Sequence, residues 1–257
     1  MAKYRLESHI PQCLDRLDVH GKRVLEIGLG QGAEAERLIR KGALWTGVDL
    51  TETAVRRMKT RLALRDLPRD GPHQASVLDL PYPENSFDLV FSHGVLHHVP
   101  DVLRAQREIH HVLRPGGRLV VMLYARWSLN YLVSIAVLRR AALLAAYPLV
   151  RAGLLGGSHS LLDAHVAGAR RCGLLRYLRL PDFTHRNTDG PDNPYSQVYD
   201  VRRVRRDFPL FEDRAEKRFM HAPPLPVHGM VGERLLGWHL WVHLIPRCHQ
   251  RRVRPST

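Results

Sequence analysis

The sequence is poor in cysteine and in lysine. Its three cysteines, Cys13, Cys172 and Cys248, lie far apart, and none belongs to a CxxC or Cys/His ligand pattern. This spacing predicts no structural metal and favours a reducing cytoplasm. Only five of the 39 basic residues are lysines. The net charge of +14 therefore comes almost entirely from arginine, which is at least as typical of a codon bias as of a nucleic-acid surface, and we expect no nucleic-acid partner.

Long uninterrupted apolar runs are also missing. The first twelve residues, MAKYRLESHIPQ, lack the apolar core of a signal peptide, so export is not expected. The longest apolar stretch, residues 129–150, contains Arg139, Arg140 and Pro148 and falls short of the roughly 18 uninterrupted apolar residues that a spanning helix needs. We therefore expect a cytoplasmic protein without a transmembrane segment.

A glycine-containing loop is the most informative feature of the chain. The segment VLEIGLGQG is an apolar strand that leads into Gly28, Gly30 and Gly32, and Asp49 closes a second apolar strand, LWTGVDL. Glycines at a strand end let a ligand lie against the following helix, and a carboxylate that ends the next strand can accept both ribose hydroxyls. The same spacing also fits the looser dinucleotide fingerprint. Glu26 favours an adenosyl cofactor with cationic groups, because its carboxylate would repel a pyrophosphate.

Short apolar runs alternate with amphipathic stretches from residue 22 to residue 124. They read VLEIG, AEAERLIR, LWTGVDL, TETAVRRMKTRLAL, SVLDL, FDLVFS, DVLRAQREIHHVL and GRLVVMLY. Such alternation predicts parallel strands joined by crossover helices. The alternation then stops: residues 125–150 are typical of one or two helices, residues 181–200 of an ordered loop, and VRRVRRDFPLF of a short basic helix. Two strands, AEKRFMH and GWHLWVHLI, close the chain.

The whole chain is long enough and apolar enough, at 257 residues and 44%, for one large α/β domain with an insertion. We expect an N-terminal cap segment at 1–21, a cofactor-binding core at 22–124, a lid at 125–211, a closing strand pair at 212–246 and a tail at 247–257.

Four segments, taken in order, resemble the class I S-adenosylmethionine-dependent methyltransferases of small molecules. They are VLEIGLGQG, GVDL, SVLDLPYPENSFDLVFSHGVLHHVPD and EIHHVLRPGGRLVVMLY. The resemblance implies a Rossmann-like, doubly wound sheet of seven strands, mostly parallel, with an antiparallel C-terminal strand and a helical and loop lid after strand five. It also implies S-adenosylmethionine as cofactor and S-adenosylhomocysteine as product.

The resemblance carries cofactor contacts onto particular positions. Gly28, Gly30, Gly32 and Glu26 would hold the methionine portion. The remaining contacts would be Asp49 to the ribose, Leu50, Ser76 and Val77 to the adenine, and Ser92 and His93 at the sulfonium end. Many relatives have Asp where this chain has Ser76, which weakens one expected hydrogen bond. Tyr4, Glu7 and His9 would belong to a segment that folds over the cofactor.

Methyl transfer from a sulfonium needs a nucleophile held about 3 Å from the methyl group, and a base helps when that nucleophile carries a proton. His97 and His98 follow the fourth strand, and because adjacent side chains point to different sides we expect at most one to face the substrate. Arg126, His185, Tyr195 and Tyr199 are further candidates for substrate contact.

The sequence leaves the methylated atom, O, N or C, open. The lid's apolar residues favour a hydrophobic or mixed-polarity small molecule, or else form a lid core or a homodimer interface. Two other functions stay open: an RNA methyltransferase, suggested only by charge, and a protein that binds the cofactor without transferring its methyl group.

Overall fold

The structure, a computed structural model, describes residues 7, 9–68, 70–155, 161–219 and 231–247. Eight strands form one sheet. They are β1 (Arg23–Ile27), β2 (Leu44–Asp49), β3 (Pro72–Gln74), β4 (Phe87–His93), β5 (Leu113–Ala125), β6 (Val198–Tyr199), β7 (Phe211–Phe219) and β8 (His239–Pro246).

The strand order along the sheet is β3-β2-β1-β4-β5-β8-β7, and the short β6 pairs with β5. Strands β1 to β6 pair in parallel, whereas β8 is antiparallel to both β5 and β7. This arrangement confirms the predicted Rossmann-like fold with its antiparallel C-terminal strand. Parallel order also brings the carboxyl ends of β1, β2 and β4 to one edge of the sheet.

Ten helices accompany this sheet in the described part of the chain. They are α1 (His9–Asp15), α2 (Ala33–Arg40), α3 (Glu52–Ala63), α4 (Val102–Val112), α5 (Asn130–Arg151), α6 (Leu161–Cys172), α7 (Leu174–Tyr177), α8 (Leu180–Thr188), α9 (Val201–Asp207) and α10 (Val231–Leu236). A 3₁₀ turn, Leu96–His98, follows β4. Thr51 and Asp101 cap the N-termini of α3 and α4, since their side chains accept hydrogen bonds from the N–H groups of Ala54 and Arg104.

The central strands are apolar on both faces because helices cover both sides of the sheet. The consecutive residues Val90 and Phe91 of β4 illustrate this, since both are fully buried but belong to different core clusters. Phe91 packs on the side of α1, α2, α3 and the lid, with Leu38 and Trp241. Val90 packs on the side of α4 and α9, with Ile109. Two continuous cores thus fix the sheet between them.

The third strand lies earlier in the chain than the apolar run SVLDL predicts. β3 is the short segment Pro72–Gln74, whereas Ser76 and Asp79 form an isolated bridge across a tight turn. His73 and Gln74 are exposed, which an edge strand of three residues tolerates. The apolar residues of SVLDL pack inward from the turn: Leu80 is buried in the core of the α4 side.

The ordered loop predicted at 181–200 is wrong over its first half, which forms helix α8. Pro181 stands in the first turn, where proline is favoured. Thr184 and Asn187 donate side-chain hydrogen bonds to the carbonyls of Leu180 and Phe183, at 2.7 and 2.9 Å. These polar side chains therefore bind carbonyl groups of their own helix, while the Phe183 side chain is buried. The prediction was wrong because Pro, Asn, Thr and Asp are also the residues typical of turns.

Helix α5 continues through the arginine pair and Pro148, and its first ten residues, Asn130–Arg139, have π-helical hydrogen bonds. By length and composition alone it could cross a membrane. The sequence predicted one or two helices here, and the structure has a single continuous one. In contrast, the β7 and β8 strands confirm the predicted antiparallel closing pair, with α10 between them.

Lys41 holds the N-terminal segment against α2. Its ammonium group donates hydrogen bonds to the carbonyls of Leu14, Asp15 and Leu17, at 2.8, 2.6 and 2.7 Å. These are carbonyls at the C-terminal end of α1, where cations are favoured.

We expect Lys41→Met to lower the free energy of unfolding by about 1.5–3 kcal/mol, because charge-assisted hydrogen bonds to these carbonyls are lost while the side-chain stem is kept. Urea denaturation measures this change. Lys22→Met is the matched control, since Lys22 pairs only with the exposed Asp18 and should change stability by less than about 1 kcal/mol. Equal losses in the two variants would contradict the role given to Lys41.

Candidate functional site

In the glycine loop between β1 and α2, the backbone conformation and the close neighbours leave no room for a Cβ atom at two positions. Gly28 has φ of +86°, and a Cβ built on it would lie 2.1 Å from Cγ2 of Val95. Gly32, at the N-cap of α2, has φ of +75°, and its Cβ would lie 2.7 Å from Cε of Met58. Glycine therefore permits both the left-handed backbone and the close approach of the loop to its neighbours.

The Asp49 carboxylate fixes the position of this loop. One oxygen accepts a hydrogen bond from the N–H of Leu29, at 3.0 Å, and the other accepts from the N–H and hydroxyl of Thr51, both at 2.9 Å. Asp49 thus ties the loop after β1 to the end of β2 and the start of α3. A carboxylate oxygen has two acceptor directions, so the oxygen bound to Leu29 keeps one for a ligand hydroxyl.

A cavity of about 280 Å³ opens beside Asp49. Five predicted cofactor residues line the cavity: Gly28, Asp49, Leu50, Ser76 and Val77. His98, from the 3₁₀ turn after β4, lines it as well. Its surface is mostly apolar apart from the carboxylate, as expected of a pocket for a nucleoside. The space beside Gly28, which has no Cβ, suits an adenine, and the Asp49 carboxylate beside it suits the hydroxyls of a ribose.

Glu26 and Ser92 lie deeper than the cavity. Glu26 is buried and accepts a 2.8 Å hydrogen bond from Nε1 of Trp45, and Ser92 donates one of 3.3 Å to the carbonyl of Ile27. Both side chains therefore support the end of β1 from inside. A contact between Glu26 and a cofactor ammonium group stays a prediction.

Four buried titratable side chains, Glu7, His9, Glu34 and His239, form a second polar group with the half-buried His93, and we call these five residues the acid–imidazole cluster. His9 Nε2 lies 2.9 Å from His239 Nδ1, and His93 Nδ1 lies 3.8 Å from Glu34. The cluster brings the N-terminal segment, the start of α2, β4 and β8 together. Carboxylates in such a place favour cationic ligand groups.

Sequence reasoning placed Glu7, His9 and His93 near the pocket, and the structure brings these three together. It missed Glu34 and His239. Glu34 stands in the first turn after the glycine loop, a position that could have been noticed, whereas nothing local marks His239. Tyr4, also predicted here, lies outside the described residues.

His98 connects the cavity with the lid. Its Nε2 lies 2.9 Å from an oxygen of Asp189, the residue that follows α8, and its Nδ1 lies 2.8 Å from the carbonyl of Tyr195. Burial opposes protonation of His98, but its hydrogen bonds to Asp189 and Tyr195 outweigh burial and raise its pKa above the ordinary value. Two acceptors around one imidazole favour the doubly protonated ring.

Asp189 and Tyr124 are site residues that the sequence did not reveal. The Tyr124 hydroxyl donates to both oxygens of Asp189, at 2.9 and 3.0 Å, while its ring stacks on Trp238. Burial and the nearby Asp189 charge raise the pKa of Tyr124, so it remains a donor. No sequence pattern could have paired these residues, because they come from the end of β5 and from the lid.

His97 lies next to His98, with ring centroids 4.3 Å apart, but differs from it in burial. It is fully buried, and its ring lies 3.8 Å from that of Tyr124, measured between centroids. Burial, together with the nearby His98 and His93, lowers its pKa well below the ordinary value. His97 is therefore a neutral imidazole that packs behind the site.

His97, His98 and Asp189 offer ligand atoms that all lie within 4.8 Å of one another, a spacing that could suit a metal ion. The 2.9 Å separation of His98 Nε2 from Asp189 is a direct hydrogen bond, however. Two ligands of a tetrahedral zinc ion with bonds near 2.0–2.1 Å stand about 3.3 Å apart. The present geometry thus serves an ion pair.

The other candidate substrate residues are divided between three places. Arg126 and His185 line a separate cavity of about 190 Å³ beneath α8. Tyr195 stacks on His185, with ring centroids 5.3 Å apart, and reaches the site through its carbonyl. Tyr199 was expected to contact substrate from a loop; it lies in β6 and is buried in the core on the α4 side, where a strand residue faces the apolar layer.

Comparisons with known proteins agree with this geometry. Residues 25–121 match the family described as "Methyltransferase domain". Over 103 residues the chain is 39% identical to the 27-O-demethylrifamycin SV methyltransferase of Amycolatopsis mediterranei, covering 39% of this chain and 38% of that protein. Over 113 residues it is 36% identical to the methyltransferase GfsG of Streptomyces halstedii, covering 43% and 41%. The matched part spans about two fifths of the length of these curated relatives.

A solved structure extends the likeness to nearly the whole chain. The crystal structure of an S-adenosylmethionine dependent methyltransferase from Mesorhizobium loti matches 94% of this chain and 98% of its own, with a TM-score of 0.59 and 20% sequence identity. This likeness supports the Rossmann-like fold over nearly the whole chain.

We expect Gly28→Ala to abolish measurable cofactor binding and to lower the melting temperature, because its Cβ would overlap Val95 and its φ is positive. Gly116→Ala is the matched control: Gly116, outside the glycine loop, also has a positive φ, +79°, but a Cβ there meets no atom within 4 Å. Calorimetric titration with S-adenosylhomocysteine and a thermal melt measure both effects. Equal behaviour of the two variants would contradict a close approach specific to Gly28.

Proposed function

Residues 25–121 belong to the class I S-adenosylmethionine-dependent methyltransferases, and on that premise we propose that the chain transfers a methyl group to an oxygen of a small molecule. A single observation carries the proposal. His98 lines the cavity beside Asp49 and is bound, at 2.9 Å, to Asp189 of the lid, so that one imidazole touches both the cofactor side and the acceptor side.

The residues of the cavity fit S-adenosylmethionine. Asp49 would accept hydrogen bonds from the ribose hydroxyls, Leu50 and Val77 would lie against the adenine, and Gly28 would allow the close approach. The acid–imidazole cluster would face the cationic methionine end. When bound, S-adenosylmethionine supplies an electrophilic methyl group on its sulfonium.

His98 is the residue that would take a proton from the acceptor. Its Nδ1–H donates to the Tyr195 carbonyl, which leaves Nε2 as the basic nitrogen. An acceptor hydroxyl would replace Asp189 at Nε2, and Asp189 keeps its second partner, the Tyr124 hydroxyl. The Asp189 carboxylate would then lie beside the imidazolium that forms. A carboxylate beside a histidine base has the same place in other sites where a third group orients the base.

The acceptor class follows from the lid and from one relative. The lid contributes buried apolar side chains above the site, including Ile135 and Phe183, which favours a largely apolar molecule with a hydroxyl group. The name of the Amycolatopsis relative states methylation at an oxygen of a demethylrifamycin. An oxygen acceptor also explains why a histidine base at the site would be useful.

The first test is calorimetric titration of the protein with S-adenosylmethionine, S-adenosylhomocysteine and NADH. We expect the two sulfur compounds to bind and NADH not to bind. Asp49→Ala should weaken binding of both by about 1–3 kcal/mol through lost charge-assisted hydrogen bonds. Glu52→Ala, which removes an exposed carboxylate three residues away, is the control and should bind as the unchanged protein does. Binding of NADH alone would overturn the proposal.

The second test is the pH dependence of methyl transfer from labelled S-adenosylmethionine to phenolic and alcoholic small molecules. The neutral form of His98 is the base, and its pKa is raised above 6.5, so kcat/KM should increase with pH through a midpoint above 6.5. Asp189→Asn removes the charge that holds the proton and should lower that midpoint. Asp182→Asn, at the other end of α8, should not. An unchanged midpoint in Asp189→Asn would exclude His98 as the base.

Intact cofactor after prolonged incubation with a broad set of hydroxyl acceptors would instead favour a protein that binds S-adenosylmethionine without transferring its methyl group. Transfer to RNA, with binding that weakens steeply as salt increases, would favour the RNA methyltransferase alternative.

A further inference from the structure

Helix α5 is apolar on the face that packs against the protein and also on the face that points away from it. On the inner face Ile135 and Leu143 are buried in the core, and Tyr131, Tyr147 and Val150 pack against them. A helix that is apolar all round is normally covered on every side. In α5 only about a tenth of the most apolar stretch is buried, so its outer face has no cover among the residues that the structure describes.

The outer face forms a continuous apolar strip. Val133, Val137, Ala141, Leu144 and Pro148 follow one another at helical spacing and are exposed, with Leu138, Ala145 and Leu149 beside them. Val137, Leu138 and Leu144 have exposed fractions of 56%, 58% and 54%. The strip continues beyond the helix in Leu154 and Leu155. Continuous exposed apolar patches of this kind mark sites that bind another protein or a membrane.

The segment of the chain that contains this strip carries charge of nearly one sign. Residues 126–180 contain eight arginines and a single acidic residue, Asp163, and α5 itself contains no acidic residue. The arginines are Arg126, Arg139, Arg140, Arg151, Arg170, Arg171, Arg176 and Arg179. Arginine stems can lie along an apolar surface while their guanidinium groups reach phosphate oxygens.

We propose that the outer face of α5 docks on a lipid bilayer that contains anionic headgroups. The strip would enter the boundary between headgroups and acyl chains, and the arginines of residues 126–180 would meet the headgroup phosphates. The helix lies on the membrane and does not cross it, because its inner face belongs to the protein core.

Charge distinguishes this occupant from a second copy of the chain. Two copies that met through α5 would bring two arginine-rich surfaces together, which like-charge repulsion opposes. An anionic bilayer offers both the apolar phase and the opposite charge. Helix α5 also begins five residues after the end of β5, the strand that carries Tyr124, so docking would place the acceptor side of the site close to the lipid.

The test is sedimentation of the full chain with large vesicles of phosphatidylcholine alone or mixed with phosphatidylglycerol. We expect binding to the mixed vesicles, little binding to phosphatidylcholine alone, and weaker binding as ionic strength increases. The double variant Val137→Asp with Leu144→Asp should lower the partition coefficient on mixed vesicles by about tenfold or more, because charged groups enter the acyl boundary poorly.

The matched control is Leu64→Asp with Leu103→Asp, which adds the same two charges at exposed leucines of α3's end and of α4. It should bind nearly as the unchanged protein does, and thermal melts should show that both double variants are folded. Equal losses in the two double variants, or no binding to mixed vesicles, would overturn the proposal. The proposal would also be overturned if the unchanged chain formed a stable dimer and the double variant at Val137 and Leu144 were a monomer. None of these measurements depends on methyl transfer, so their failure leaves the proposed function untouched.

Discussion

The hydrogen bonds of one carboxylate hold the cofactor side of the molecule together. Asp49 binds the backbone of the glycine loop at Leu29 and the start of α3 at Thr51. Three neighbouring segments thereby keep a fixed distance at the edge where the parallel strands end. The cavity exists because Gly28 can pass close to Val95 within this frame. A ligand that bound Asp49 would therefore meet a surface that is already arranged, and little ordering would be required on binding.

The parts of the fold that local sequence determines could be predicted. A strand that is buried on both faces must be apolar at every position, so VLEIG, FDLVFS and GRLVVMLY stand out without knowledge of their neighbours. A glycine is needed where the backbone has positive φ and a neighbour lies too close for a Cβ, and Gly28 and Gly32 mark such places. Asp49 was identified because its position follows from the strand that it ends.

The acceptor side could not be predicted, because its contacts join distant parts of the chain. His98 meets Asp189 and Tyr195, more than ninety residues later, and the segment between contains the whole first half of the lid. Composition also misled at α8: Pro181 stands in its first turn, and Thr184 and Asn187 donate hydrogen bonds to carbonyls one turn earlier in the helix. The same limit applies to β3, whose edge position removes the need for apolar residues.

The ion pair between His98 and Asp189 makes lid position and proton binding two aspects of one equilibrium. A lid that carries Asp189 away from His98 removes the charge that stabilises the imidazolium, so an open lid releases a proton. A lid position that returns Asp189 to His98 restores that charge and draws a proton toward the ring. By the reciprocity of linked equilibria, acidic solution must then favour the closed lid to the same extent that closure favours protonation. Any movement of Asp189 relative to His98 would in this way respond to the acidity of the surroundings without any additional sensor.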